Sequence, residues 1–189
     1  MLERIRAAAV TLLLLTLITG VIYPLVVTGV AQAAFPRQAN GSLVERNGSV
    51  LGSSLIGQPF DDPKYFWSRA SATTPAYNGQ SSSGSNLGPI NPALRDAVKA
   101  RVDTLHAADP DVRALIPVDL VTSSGSGLDP HISPAAALYQ VHRVAKKRGL
   151  SEDTVRGLVE RFTERPFLGL FGEPGVNVLE LNLALDDTL

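Results

Sequence analysis

An uncharged, mostly apolar run from Ala7 to Phe35 is the feature that most constrains how this chain folds. The run is longer than the ~20 apolar residues that cross the hydrocarbon core of a bilayer. Gly20 and Pro24 lie within it, and membrane helices tolerate both residue types. The run therefore predicts a transmembrane helix over residues 7–35, with a short segment, 1–6, before it and one domain, 36–189, after it.

A cleaved signal peptide is the alternative, because Ala31–Ala33 resembles a cleavage site. The apolar core of a signal peptide is only ~7–15 residues long, so the length of the run favours a permanent anchor. Arg4 and Arg6 precede the run and favour a cytoplasmic N-terminus. This topology predicts an extracytoplasmic location for residues 36–189, and a cytoplasmic domain is the other possibility.

Composition excludes several classes of function. The net charge is −1, which argues against a nucleic-acid partner, since such proteins carry a basic surface. The chain has no cysteine. Disulfides, cysteine–zinc sites and thiol catalysis are therefore excluded.

The domain after the apolar run shows strand and helix patterns in alternation. Asn40–Gly41 and Asn47–Gly48 are typical hairpin turns, and a Gly-, Ser-, Asn- and Pro-rich stretch, 72–92, predicts a long surface loop. Capping residues mark three helix starts, namely Asn91, Ser133 and Ser151. The predicted strands are 42–46, 50–55, 64–71, 116–122 and 176–187, and the predicted helices are 92–109, 134–148 and 152–164. This order predicts a mixed α/β domain with a small sheet and about three helices.

One loop, "SSGSGLDPHISP" at Ser123–Pro134, holds the densest group of chemistry-bearing residues. It does not match a P-loop, because Gly125 and Gly127 are too close together and no lysine follows them. Ser126, Asp129 and His131 contain the residue types of a hydrolase triad. Triad members normally come from separated elements, so a triad within one tight loop is disfavoured. An Asp-x-His pair alone is also a poor metal-ligand set.

A structural interpretation explains most residues of this loop. The two glycines predict positive φ angles, Asp129–Pro130 predicts a turn, and Ser133 predicts a helix cap. The interpretation leaves His131 without a role. Tyr139, Gln140 and Arg143 on the following helix are predicted to be exposed, as ordinary solvated surface or as a docking face.

Taken together, six motifs resemble the C subunit of the Kdp potassium-transporting P-type ATPase of bacteria. The resemblance covers essentially the whole chain, behind a single N-terminal membrane segment. The motifs are "GSSLIGQPF" (52–60), "YFWSRASA" (65–72), "GSNLGPINP" (84–92), "DLVTSSGSGLDPHISPAAA" (119–137), "RVAKKRGL" (143–150) and "VNVLELNLAL" (176–185).

The resemblance implies a non-catalytic accessory subunit in the bacterial inner membrane, needed for assembly or stability. Its implied partners are an ATP-hydrolysing subunit, a potassium-translocating subunit and the lipid bilayer. Members of the family are described as raising the ATP affinity of the pump through a Ser-Gly-Gly-Ser stretch, and the corresponding letters here, Ser82–Ser85, lack one glycine. ATP is thus the one cofactor that the resemblance implies, and its candidate ligands are Ser83, Gly84, Ser85 and Asn86.

The leading hypothesis is a structural and regulatory subunit whose outer domain caps the potassium entrance. An ATP-binding chaperone of the catalytic subunit is the second hypothesis, and an independent secreted hydrolase is the third. The candidate partner-contact residues are Ser126, Gly127, Asp129, His131, Ser133, Gln140 and Arg143.

Overall fold

A computed structural model describes residues 1–188 of the chain. The described chain divides into two compact units, one from Met1 to Leu51 and one that begins at Gly52. The boundary between the units falls within a β-hairpin rather than directly after the apolar run.

The first unit is built on one long helix. It comprises α1 (Leu2–Leu17), a π-helical turn (Ile18–Ile22) and α2 (Tyr23–Ala34). The helix therefore begins five residues earlier than the apolar run, and it is exposed along its length. Its mean hydropathy reaches 2.4, and it is the one helix within residues 1–188 that is long and apolar enough to cross a membrane. The π turn lies directly before Pro24, which has no N–H to donate to the preceding helical turn.

A short helix, α3 (Pro36–Ala39), and a hairpin of β1 (Leu43–Arg46) and β2 (Ser49–Ser53) follow. The hairpin was predicted correctly. Asn47 and Gly48 have φ angles of 53° and 75°, as expected for the turn type that an Asn-Gly pair forms.

The second unit contains helices around one small antiparallel sheet. The strand order is β3 (His131–Ile132), β5 (Gly175–Asn177), β4 (Thr163–Glu164), with His131 opposite Asn177 and Glu164 opposite Gly175. Buried aliphatic residues from the helices and from β5 form the core of this unit. Its elements are α4 (Pro92–Ala108), α5 (Val118–Val121), β3 (His131–Ile132), α6 (Pro134–Arg148), α7 (Glu152–Arg161), β4 (Thr163–Glu164), β5 (Gly175–Asn177) and α8 (Val178–Asp186).

The predicted starts of the three helices are confirmed by their caps, but the predicted helix 152–164 ends at Arg161, and Thr163–Glu164 form β4 instead. The side chain of Asn91 accepts a hydrogen bond from the N–H of Ala93 at 2.9 Å. The hydroxyls of Ser133 and Ser151 accept from backbone N–H groups three residues later, at 3.0 and 3.1 Å. Gly149 ends α6 with a φ of 67°, the left-handed C-terminal stop. The long loop before α4 is confirmed as well, since 72–91 contains no helix or strand.

Two predicted strands are helices instead. Residues 116–122 contain α5, one helical turn that starts after Pro117, rather than a buried strand. Only Val176 and Asn177 of the predicted strand 176–187 are extended, and α8 follows them. The side chain of Asn177 caps α8 by accepting from the N–H of Glu180 at 3.2 Å. The alternation of leucines there resembles a strand. Four of the five buried positions of α8, Val178, Leu181, Asn182 and Leu185, follow helical spacing, and the fifth is Leu179.

The predicted strand 64–71 is an irregular segment, because side chains rather than a neighbouring strand satisfy its backbone. Asn182 accepts from the N–H of Phe66 at 2.8 Å and donates to its carbonyl at 3.0 Å. Gln140 does the same for Trp67, at 2.8 and 3.1 Å. These two buried amides replace the hydrogen bonds that a strand partner would provide.

Gln140 and Arg143 were predicted to be exposed, and this was wrong. Their relative exposures are 1% and 3%. The Arg143 guanidinium donates to the carbonyls of Pro63 and Tyr65, and it stacks on the Trp67 ring at 4.2 Å. Burial lowers the pKa of Arg143 to about 10. Both side chains therefore hold segment 63–67 inside the unit.

Candidate functional site

The candidate site is centred on Ser123–Pro134, which we call the signature loop, between α5 and α6. Its polar groups are mostly bonded within the unit. The Ser124 hydroxyl accepts from the N–H of Gly127 at 2.9 Å, and the Asp129 carboxylate accepts from the N–H of His131 at 3.0 Å. The second contact confirms the predicted Asp-Pro turn. At the end of the loop, Asp119 accepts from the N–H of Ser133 at 2.7 Å.

A second loop, Ser82–Asn86, packs directly against the signature loop, and we call it the serine loop. The N–H of Ser83 and the hydroxyl of Ser82 both donate to the carbonyl of Ser126, at 2.9 and 3.0 Å. A Cβ on Gly84 would lie 2.8 Å from the carbonyl oxygen of Gly125. The two groups of candidate residues, forty positions apart in sequence, thus form one surface.

Glycine is required at only one of the two signature-loop positions predicted to need it. Gly127 has a φ of +69°, and a Cβ there would lie 2.6 Å from the Ser83 carbonyl oxygen. Gly125 does not have a positive φ, contrary to prediction, and a Cβ there would meet nothing within 4 Å. Close approach of the serine loop therefore explains Gly127 alone.

Sequence reasoning missed the residues that support the signature loop from beneath. The Ser71 hydroxyl donates to the carbonyl of Gly127 at 2.6 Å and accepts from the N–H of Tyr77 at 2.9 Å. The N–H of Gly57 donates to the carbonyl of Leu128 at 2.9 Å. Gly57 and Ser71 both lie within motifs of the family resemblance, and membership in these motifs is the one sequence signal that could have identified them.

The residues of the hydrolase hypothesis do not assemble a triad. The Ser126 hydroxyl accepts from the N–H of Leu128 at 3.1 Å, and its exposed side chain has no hydrogen bond to Asp129 or His131 within residues 1–188. The Asp129 carboxylate instead forms a 3.0 Å ion pair with Arg69. No base therefore activates the serine in this arrangement.

An open cleft of about 720 Å³ lies beside the signature loop. His131 faces it, with Nδ1 3.7 Å from Asp129 and Nε2 3.7 Å from Glu164. The His131 side chain packs against Gly175. A Cβ added at Gly175 would lie 3.4 Å from it. The ring thus connects the signature loop to the β4–β5 hairpin (163–177). The other charged residues that line the cleft are Arg69, Asp119 and Glu173.

The charges around His131 shift two pKa values. Asp129 raises the pKa of His131 above 6.5, against the opposing effect of partial burial, and Glu164 adds to the increase. Burial acts to raise the pKa of Asp129, but hydrogen bonds from His131 and the positive charge of Arg69 outweigh it, so that the pKa lies below 3.8. An ion pair between Asp129 and protonated His131 is favoured at mildly acidic pH.

A separate group of Asp109, Asp111 and His142 has ligand atoms within 4.8 Å of one another. His142 Nδ1 lies 2.8 Å from Asp109, and the Lys146 ammonium lies 2.7 Å from Asp111. Lys146 therefore already supplies the positive charge that these carboxylates attract.

The exposure of the candidate residues divides them into two groups. Gly127, Gln140 and Arg143 are buried, and Asp129, His131, Ser133 and Gly84 are half-buried. Ser126 is exposed, together with Ser83, Ser85 and Asn86 on the serine loop. The fully exposed part of the two loops is therefore a small, polar, uncharged surface, whereas Asp129 and His131 are half-buried and line the cleft.

A helix fit to cross a membrane, joined to a small α/β unit with a polar loop surface, defines the chain as a membrane-associated protein. The family model described as "K+-transporting ATPase, c chain" matches residues 5–187, and the chain belongs to this KdpC family. The potassium-transporting ATPase KdpC subunit of Sorangium cellulosum is 67% identical over 187 residues, covering 98% of both chains. The subunit of Methylococcus capsulatus is 63% identical over 187 residues, also covering 98% of both. That of Ralstonia nicotianae is 63% identical over 184 residues, covering 97% of this chain and 90% of its own.

Proposed function

We propose that this chain is a non-catalytic accessory subunit that docks on other subunits of the potassium-transporting ATPase through the surface formed by the serine loop and the signature loop. The observation that carries the proposal is the packing of these two loops into one surface, with Ser83 and Ser126 joined at 2.9 Å. A preformed surface loses little conformational entropy when a partner covers it. The proposal includes the potassium-translocating subunit as the partner and a role in assembly or stability of the complex.

The same contacts disfavour the ATP-binding alternative. A nucleotide site of this kind presents free backbone N–H groups to phosphates. In the serine loop the N–H of Ser83 donates to Ser126 instead, and Gly84 lies against the backbone of Gly125. Gly84 therefore allows the two loops to pack closely and does not form part of an open phosphate-binding loop.

We place residues 36–189 outside the cytoplasm, in keeping with Arg4 and Arg6 before the apolar helix. The chain has no cysteine, so a single Thr154→Cys substitution on the exposed face of α7 introduces one thiol that can be labelled specifically. A membrane-impermeant maleimide is expected to label this variant in intact cells. Labelling that requires permeabilised cells would contradict the topology and would revive ATP binding.

The docking surface is tested by adding bulk and charge at its centre. Ser85→Arg is expected to reduce recovery of the chain with the other subunits in a pull-down from solubilised membranes, while its own thermal unfolding is unchanged. Thr154→Arg is the matched control, since it adds the same bulk and charge at an exposed position of α7 whose hydroxyl contacts the helix cap, Ser151, rather than either loop. Equal recovery of the two variants with the other subunits would overturn the proposed surface.

A further inference from the structure

The tip of the β4–β5 hairpin carries four large apolar side chains within residues 167–171. Phe167, Leu168, Leu170 and Phe171 are exposed by 71%, 74%, 80% and 66%. Scattered exposed apolar residues are ordinary on protein surfaces, but a contiguous group marks an interaction site. The serine loop and the signature loop form a different, polar surface, so the proposed subunit docking does not account for this tip.

The tip is a defined turn rather than a loose loop. Phe167 and Phe171 exchange two backbone hydrogen bonds, of 2.8 and 3.0 Å. Leu168 and Gly169 occupy the apex with φ angles of 55° and 72°. A branched residue in the left-handed region costs ~1–2 kcal/mol, which an asparagine or glycine would avoid. Leu168 therefore weakens the turn, and its side chain, which is 74% exposed, adds little to the packing of the unit.

The apolar helix keeps the second unit within reach of a bilayer whenever that helix crosses one. Residues 35–51 connect the helix to the second unit. Even fully extended, a segment of that length reaches no more than ~60 Å. Lipid is thus permanently present at a high local concentration around the second unit.

The chemistry of the tip suits lipid better than a protein partner. Residues 166–172 contain no charge, and the charges beside them balance, because Glu164 and Glu173 offset Arg161 and Arg165. The tip therefore presents only apolar side chains and backbone, which suits the acyl-chain region of a bilayer. Covering all four side chains buries on the order of 500 Å², less than the ~800 Å² per partner of a stable protein interface. Partition into a bilayer needs no complementary partner surface.

We infer that the hairpin tip, residues 167–171, inserts into the headgroup region and upper acyl chains of the bilayer that holds the chain's own helix. The inference requires that the helix crosses a membrane, and it does not depend on the proposed docking surface.

Site-specific fluorescence in the full chain tests this contact, again because the chain has no cysteine. Leu168→Cys and, separately, Phe167→Cys are labelled with an environment-sensitive fluorophore and reconstituted without other subunits. The vesicles contain phosphatidylcholine and phosphatidylglycerol. Emission is expected to shift to shorter wavelength and to be quenched by lipids that carry a spin label on the upper acyl chain. Ile90→Cys, at a position 96% exposed, is the matched control and is expected to show neither change.

A charge at the tip sharpens the test. Leu170→Asp, combined with the label at residue 168, is expected to abolish the spectral shift and most of the quenching. Emission and quenching at residue 168 equal to those at residue 90 would overturn the inference. A label that lipid does not quench, but that the other ATPase subunits shield when they are added, would also overturn it and would assign the tip to a protein partner.

Discussion

The signature loop and the hairpin tip both place a residue in the left-handed region, and they do so for opposite reasons. Gly127 is buried, and its missing Cβ lets the Ser83 carbonyl approach. Leu168 is exposed and has a side chain that its conformation disfavours. Packing within the second unit therefore explains why residue 127 is a glycine. The loop that looks most like an active site in the sequence is therefore chiefly structural, whereas a stretch without any motif carries the unusual exposed chemistry.

The largest expected effect comes from removing the space at Gly127. Gly127→Ala forces a strained φ and brings the new Cβ against Ser83 and Thr73, which are 2.6 and 2.7 Å from its ideal position. We expect the free energy of unfolding to fall by about 2–4 kcal/mol. Chemical denaturation of the full chain in detergent measures the change.

Gly125→Ala is the control within the same loop, because its Cβ meets nothing within 4 Å. We expect this variant to lie within about 0.5 kcal/mol of the parent chain. Equal losses at the two glycines would contradict the explanation based on close packing.

A second large effect is expected at the buried amides beneath the site. Asn182→Leu leaves the N–H and carbonyl of Phe66 without their partner inside the core. An unsatisfied buried polar group costs about 1–3 kcal/mol, so a loss at the upper end of that range is expected in the same denaturation assay. Gln80→Leu changes an exposed amide to the same apolar residue and is expected to leave stability nearly unchanged.

His131, which joins the signature loop to the hairpin, is expected to make a smaller and pH-dependent contribution. Its pKa is raised in the folded chain, so its stabilisation is fully present below the ordinary value of 6.5 and is lost as pH rises through the folded-state value. We expect His131→Gln to destabilise the chain by at most about 1 kcal/mol at pH 5.5 and by less at pH 8.5, because its partners are partly exposed.

Melting curves of the parent chain and of His131→Gln at both pH values measure this difference, and comparing the two chains cancels the titration of the other histidines. A stability difference that grows with pH would show that Asp129 and Glu164 do not act on a protonated imidazole.

The smallest expected effect on folding comes from the hairpin tip. Leu168→Gly relieves the disfavoured φ but makes the unfolded chain more flexible, and these two effects oppose each other. We expect a change in the free energy of unfolding within about 0.5 kcal/mol. A loss as large as that of Gly127→Ala would mean that the tip supports the fold, and the contrast between the two regions would disappear.

Local signals predicted the parts of the fold that depend on neighbouring residues. The apolar run, the Asn47–Gly48 turn and the capping residues Asn91, Ser133 and Ser151 act over a few positions, and the structure confirms them. The predicted strand 64–71 failed because distant side chains, Gln140 and Asn182, satisfy its backbone. No periodicity within the segment encodes such a contact.

The candidate site was predicted in part for the same reason. The turn at Asp129 and the cap at Ser133 follow from adjacent residues. The approach of Ser83 to Ser126 depends on how the long loop 72–91 folds back, which its composition does not specify. The strand predicted at 176–187 failed because leucines at every second position mimic a half-buried strand, while the cap at Asn177 starts a helix.

Cross-linking from Ser85 in the assembled ATPase tests the central claim most directly. A Ser85→Cys variant carries a photoactivatable group as the only cysteine-linked label of the chain, and Thr154→Cys on α7 is its control. We expect an adduct between residue 85 and the potassium-translocating subunit, none from residue 154, and no specific labelling of the serine loop by a photoreactive ATP analogue. Specific ATP labelling within Ser82–Asn86, without a subunit adduct from residue 85, would contradict the claim.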